Sequence, residues 1–300
     1  MNGIQKIQLS KLNKGLIPMT ESKLALDIRP GQSIELLKEL HILTSDGKIN
    51  QDSRRKLKQV RHLYQFIEKI LLSLSFGPSD SSGPTLADHG AGKSYLGFII
   101  RDLFFRDIPN GHIYGIENRS DLVEKSRALA RKLGFDRMSF INLSVVDSTE
   151  TQGLPDRIDL ITALHACDSA TDDAITFGLV KKAKHMVLVP CCQAEMARLL
   201  NANKALTLSK SSLAELWRHP LHTREVGSQL TNVLRCLYLE AWGYRVTVTE
   251  LVGWEHSMKN ELILATFTGF QKKASGDRLK DLLNTFGVGD WQVKRFPLPK

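Results

Sequence analysis

The chain has 300 residues, 42% of them hydrophobic and 24% charged, and carries a formal net charge of +9. That length supports a sizeable core, and the balance excludes a disordered or fibrous chain. No apolar run reaches the ~20 residues that cross a bilayer, and the opening MNGIQKIQLSKLNKG has no secretory h-region, so a cytoplasmic protein with no membrane partner is expected.

Residues 1–80 read as a helical N-terminal extension. A short helix is expected at Ser33–Leu43 and a turn at Ser45-Asp46-Gly47. From Ser53 the apolar positions Leu57, Val60, Leu63, Ile67, Ile70, Leu71 and Leu74 recur at threes and fours, which predicts one amphipathic helix. Arg54, Arg55, Lys56, Lys58 and Arg61 crowd its first turns, either as a solvated face or as a contact for a polyanion. The Gly/Pro/Ser-rich stretch Phe76–Pro84 is a loop.

Over residues 81–270 short apolar runs alternate with amphipathic segments, the pattern of a βαβ sheet. Strands are predicted at Thr85–Asp88, His112–Glu117, Met138–Leu143, Ile158–Leu164, His185–Pro190, Tyr244–Leu251 and Leu262–Phe267. Helices are predicted at Ser94–Phe105, Ser120–Leu133, Ser169–Val180 and Thr231–Trp242. No helix fits between the last two strands, so they should form an antiparallel hairpin at the edge of a Rossmann-like α/β sheet. Gln193–Leu230 yields no strand and is the best place for an inserted, substrate-facing region. A tail from residue 271 to 300 carries one more short helix, Arg278–Phe286.

The first predicted strand ends in Asp88-His89-Gly90-Ala91-Gly92-Lys93-Ser94-Tyr95. Glycines at 90 and 92 tighten the turn and let the backbone approach a ligand, and the following helix offers free N–H groups. A P-loop would need glycine where Ala87 stands, and a dinucleotide fingerprint would need it at Tyr95. The pattern D-x-G-x-G is complete, and its carboxylate suits a cofactor with a cationic amino group. Glu117 ends the second strand, where an acid binds a ribose diol, and Asp147 follows the third, placed to meet an adenine amino group. Lys93, Tyr95 and Leu164 complete the candidate cofactor contacts.

The fourth strand delivers His165-Ala166-Cys167-Asp168 and the fifth Cys191-Cys192, all at the carboxyl edge where ligands bind in open sheets. His165 is the candidate general base, having a pKa near neutrality. Cys167, Asp168 and Cys191 are the other catalytic candidates, with helix capping as the structural role open to Asp168 and thiol packing as that open to the Cys191-Cys192 pair. The four cysteines form no disulfide framework, and the His/Cys set lacks C-x2-C spacing, so no metal is expected. Lys259 and His256, in the loop between the last two strands, can face a substrate or simply lie on a surface turn.

The segments DHGAGKSYLG (88–97), LHACDSATD (164–172) and VPCCQ (189–193) closely resemble a family of class I methyltransferase domains. That family occurs in bacteria and in eukaryotic proteins such as the glutathione S-transferase C-terminal-domain-containing protein. The likeness extends to Lys56–Ile67, Thr231–Leu237 and Glu255–Asn260, and covers roughly residues 25–268. A more distant similarity is to tRNA acceptor-stem 2′-O-methyltransferases. The resemblance implies a seven-stranded sheet, S-adenosyl-L-methionine as cofactor and methyl transfer as the reaction. His89 and Ala91 depart from it, standing where the family often has Phe and Cys. The net charge favours RNA, tRNA or rRNA, as the acceptor. A protein or small-molecule acceptor, or a non-catalytic binding module, are the alternatives.

Overall fold

The computed structural model describes residues 28–29, 31–74, 83–143, 153–164, 166, 168–190, 194–202, 212–251, 261–289, 291 and 295–299. By compactness the chain divides into two units, residues 1–58 and 59–300, whereas the sequence reading drew its boundaries at 80 and 270. In the first unit, helix α1 (Ile34–Glu39) starts where Ser33 Oγ accepts the Leu36 N–H at 3.1 Å. The predicted turn closes through Gly47, at φ +80°. Helix α2 (Gln51–Ser73) begins under Asn50, whose Oδ1 accepts the Ser53 N–H at 2.7 Å. Leu57 of the first unit is buried, as are Val60, Leu63, Tyr64, Ile67, Leu71 and Leu74 of the second, which follow the predicted helical stripe.

The second unit is built on seven strands: β1 (Thr85–His89), β2 (His112–Glu117), β3 (Met138–Asn142), β4 (Leu160–Leu164), β5 (His185–Val189), β6 (Tyr244–Glu250) and β7 (Glu261–Phe267). Their order is β3-β2-β1-β4-β5-β7-β6. The first five are parallel, and β7 runs antiparallel between β5 and β6. Burial explains the sequence pattern: β5 is buried at every position, as a central strand covered on both faces must be. The edge strand β6 exposes much of its length. This is the Rossmann-like sheet of class I methyltransferases, with the expected antiparallel edge hairpin.

Helices α3 (Tyr95–Leu103), α4 (Ser120–Lys132) and α5 (Ser169–Val180) connect the parallel strands, and α6 (Ala194–Ala202), α7 (Pro220–Ala241) and α8 (Lys273–Thr285) follow. Because the chain leaves β1 toward β2 on one side and returns to β4 on the other, the crevice above β1 and β4 is the switch point of the sheet. Two boundaries differ from the sequence reading. Helix α7 starts at Pro220 and not at Thr231, so much of the expected insertion is helical. Proline suits a first turn, where its missing N–H goes unneeded, and small buried residues (Thr223, Gly227) replace the large apolar stripe that periodicity detects. Helix α8 likewise begins five residues before Arg278, with Ser275 and Gly276 buried in its first turns. The tail joins the core: Phe296 is fully buried beside Tyr238, ring centroids 5.3 Å apart, and Trp242 Nε1 donates to the Pro297 carbonyl at 3.0 Å.

Candidate active site

At the end of β1 the chain turns through Gly90 (φ +67°), Gly92 (φ +57°) and Ser94 (φ +54°) before α3 begins. The two glycines adopt the left-handed region at no steric cost. A Cβ on Gly92 would meet nothing within 4 Å, whereas one on Gly90 would lie 3.5 Å from Ala166 Cβ in the loop after β4. The loop is stitched to β2: Ala91 N–H donates to the Ile116 carbonyl at 3.0 Å and Gly92 N–H to Glu117 Oε2 at 2.7 Å.

Around this turn opens a pocket of about 490 Å³, within the range that holds small-molecule ligands. Asp88, Gly90, Gly92, Lys93, Tyr95, Glu117 and Leu164, seven of the residues singled out in the sequence, all line it. Asp147, His165, Cys167, Cys191, Cys192 and the Glu255–Asn260 loop lie outside the described residues. Sequence reasoning missed Asn118, Arg119 and Leu143, which also line the pocket. Their position just beyond the ends of β2 and β3 was the available signal.

The two acids differ. Asp88 is 2% exposed, and its Oδ1 accepts the Thr162 hydroxyl at 2.8 Å. Burial pushes its carboxyl up to about 7, with the Thr162 hydroxyl and the Gly97 amide pulling it back and Glu117 adding repulsion. Glu117 accepts the Gly92 N–H on one oxygen and the Arg119 N–H (3.1 Å) and Nε (3.4 Å) on the other. His89 has no partner for either ring nitrogen among the described residues, and burial pushes it down to about 4. Its ring centroid lies 5.6 Å from that of Phe177.

Asp168 stands at the cap position of α5 but makes no side-chain cap bond there. This corrects the capping expectation. Its Oδ1 accepts the Glu195 N–H at 3.2 Å instead, so it caps the first turn of α6, and its Oδ2 lies 3.4 Å from Arg198. The reason is backbone geometry: at φ +51°, ψ −117° the side chain is turned away from its own helix. The start of α5 is fixed by Thr171, whose hydroxyl donates to the Ala166 carbonyl at 2.6 Å. Behind it Arg235 Nε meets Asp172 Oδ1 at 2.5 Å, their side chains 0% and 5% exposed. Sequence reasoning did not single out this pair, although 164–172 and 231–237 were both recognised landmarks of the resemblance.

S-adenosyl-L-methionine fits these residues. A buried carboxylate, Asp88, suits a cationic ligand, and Glu117 keeps lone pairs for a diol. Ile116, Leu143 and Leu164 provide apolar wall for a base. A buried Asp88 carboxyl bonded by neutral donors, the Thr162 hydroxyl and the Gly97 amide, leaves its charge for a cationic ligand, which is the strongest sign of one.

Residues 55–199 match the family model described as a methyltransferase domain. No curated protein matches the chain. Among solved structures it is similar to CurJ carbon methyltransferase, at 18% identity and a TM-score of 0.45, over 70% of this chain and 54% of that one. It thus spans about half the length of that protein. It is also similar to magnesium protoporphyrin IX methyltransferase (ChlM) from Synechocystis PCC 6803 with bound SAH, at 10% identity, 78% and 93% coverage and a TM-score of 0.43. A third is fibrillarin from Aeropyrum pernix with natively bound S-adenosyl-L-methionine, at 13% identity, 68% and 76% coverage and a TM-score of 0.39. The sheet order and the pocket carry the fold assignment without help from these distant likenesses. The match to that model covers just under half of the chain, and the sheet on which those residues lie has the strand order β3-β2-β1-β4-β5-β7-β6.

Proposed function

We propose that the protein is an S-adenosyl-L-methionine-dependent methyltransferase that modifies RNA, tRNA or rRNA, in the cytoplasm. The observation that carries the methyltransferase reading is the pocket at the switch point, with Asp88 and Glu117 facing it beside two left-handed glycines. When bound, the cofactor supplies an electrophilic methyl group on a sulfonium. Asp88 then balances the ligand's positive charge, and Glu117 accepts hydrogen bonds from its ribose. Gly90 and Gly92 leave room for it. An RNA hydroxyl must lose a proton as it accepts the methyl group, and His165 is the candidate base from the sequence.

Three features support RNA as the acceptor: the net charge of +9, exposed Lys93 and Arg119 lining the pocket, and the resemblance to tRNA modifiers. Asp168 acts in this reading by holding α6 against the loop after β4. Two measurements test the proposal. S-adenosylhomocysteine must raise the melting temperature of the protein, since a ligand of the folded state stabilises it; no shift at millimolar ligand removes the cofactor. Nucleosides from cells lacking the gene must lack one methylated species, and an unchanged RNA profile rejects the RNA acceptor.

A further inference from the structure

Asp168 has a backbone conformation that non-glycine residues rarely hold, and strain of this kind persists only where neighbours over-determine it. Here they do. Arg235 Nη2 donates to the Asp168 carbonyl at 2.8 Å, and its other nitrogens bind Asp172 and Asn232 Oδ1 (3.0 Å). Asn232 is held in turn by Glu261 Oε2 at 2.7 Å. The second oxygen of Asp172 lies 3.4 Å from Arg295 Nε, in the C-terminal tail. Arg295 also pairs with Glu195, which accepts the Trp291 indole N–H at 3.2 Å. Glu195 is the residue whose amide binds Asp168.

The circuit therefore closes on the loop after β4 from two directions, once through Arg235 and once through α6. Ala166 and Ala170, on either side of Asp168, are walls of the pocket. A buried arginine bonded through all three of its nitrogens presents its donors in a fixed fork, so it sets a carbonyl's position as well as its charge environment.

We infer that Arg235 is a positioning residue for the loop after β4 and that Arg295 of the C-terminal tail locks it, so that the tail acts on the pocket wall at one remove, through Asp168. The inference rests on the methyltransferase reading for its consequence, but the positioning itself does not require it. No residue of the circuit touches the transferred group in this scheme. Each acts through the conformation of Asp168 and hence through Ala166 and Ala170.

Arg295→Gln and Arg295→Lys test it, because Arg295 is partly exposed and its loss leaves the Asp172–Arg235 pair in place. A control variant, Ile113→Val, carries a small destabilisation in β2, away from the circuit. Amide exchange of segments 164–175 and 194–200 is followed with and without S-adenosylhomocysteine, together with the affinity of that ligand by calorimetry. In Arg295→Gln, exchange in both segments should rise at least tenfold and affinity should fall three- to tenfold. Arg295→Lys, which keeps a cation opposite Asp172 and Glu195, should recover most of both. Exchange and affinity equal to wild type in Arg295→Gln, or a rise no larger than in Ile113→Val, overturns the inference. If the wild type binds no ligand while the exchange pattern appears as stated, the positioning stands and the methyltransferase reading falls.

Discussion

The two sides of the switch point are built on different principles. On the cofactor side, a short motif at the end of β1 adopts its shape through backbone conformation at Gly90 and Gly92, and the neighbouring strand end ties it down through Glu117. On the β4 side, side-chain pairs draw together α5, α6, α7 and the tail, linking Asp172 to Arg235 and Glu195 to Trp291 and Arg295. The first arrangement is written in a few adjacent residues. The second exists only once helices far apart in the chain have packed.

The comparison is broken most directly at Arg235. Arg235→Met leaves the Asp172 carboxylate buried without its main partner, and stability should fall by about 3–5 kcal/mol in urea unfolding. Adding Asp172→Asn should recover part of that loss, because the two residues are coupled. A double variant no more stable than Arg235→Met would show that the pair is not the energetic hub of the β4 side.

On the cofactor side the largest effect should come from Glu117. Glu117→Gln removes the charge from the group that accepts the ribose hydroxyls, hydrogen bonds worth about 1.5–3 kcal/mol, and affinity for S-adenosylhomocysteine by calorimetry should fall accordingly. Unfolding should shift much less than in Arg235→Met, since Glu117 lies at the pocket surface. Equal losses of stability in the two variants would erase the contrast.

A smaller effect follows from pH. With the Asp88 carboxyl near 7, binding of a cationic cofactor needs the ionised form, so affinity should drop about tenfold for each pH unit below that value. Asp88→Asn should flatten the profile. The free protein behaves in the opposite sense. Its folded-state carboxyl lies above the ordinary 3.8, so the stability contributed by the protonated form is complete at about pH 4 and is lost as pH rises through 7. A pH-independent affinity in the wild type would exclude Asp88 as the counter-charge.

The smallest effect concerns His89, which buries two ring nitrogens without partners among the described residues. His89→Phe should stabilise the protein by about 1 kcal/mol, as removal of an unsatisfied buried polar group does, and should leave cofactor affinity unchanged. His89 is among the residues lining the pocket, so a loss of affinity would instead show that its imidazole contacts the ligand.

Much of the fold was legible because hydrophobic periodicity reports burial directly. The buried run at 185–189, the helical stripe from Leu57 to Leu74 and the hairpin between the last two strands all appear in the structure where the pattern put them. Helix α7 was truncated in the reading because its first half packs through Thr223 and Gly227, and close packing by small residues leaves no apolar signature. The cofactor pocket was legible for the same local reason. Asp88, the glycines and Glu117 each sit at a strand end, and the end of a strand fixes where a side chain points.

What the sequence determined alone was thus the class of sheet and the ligand-facing end of its first two strands, since alternation, glycine and a terminal carboxylate act over a few residues. What only the tertiary structure decided was the state of the charged groups. That Asp168 caps α6 and not its own helix, and that Arg235 is buried against Asp172, depends on distances between elements that neighbouring residues cannot encode. A buried ion pair repays the cost of taking its charges out of water only when packing gives it good geometry and supplies its remaining hydrogen bonds, and that condition belongs to the assembled core.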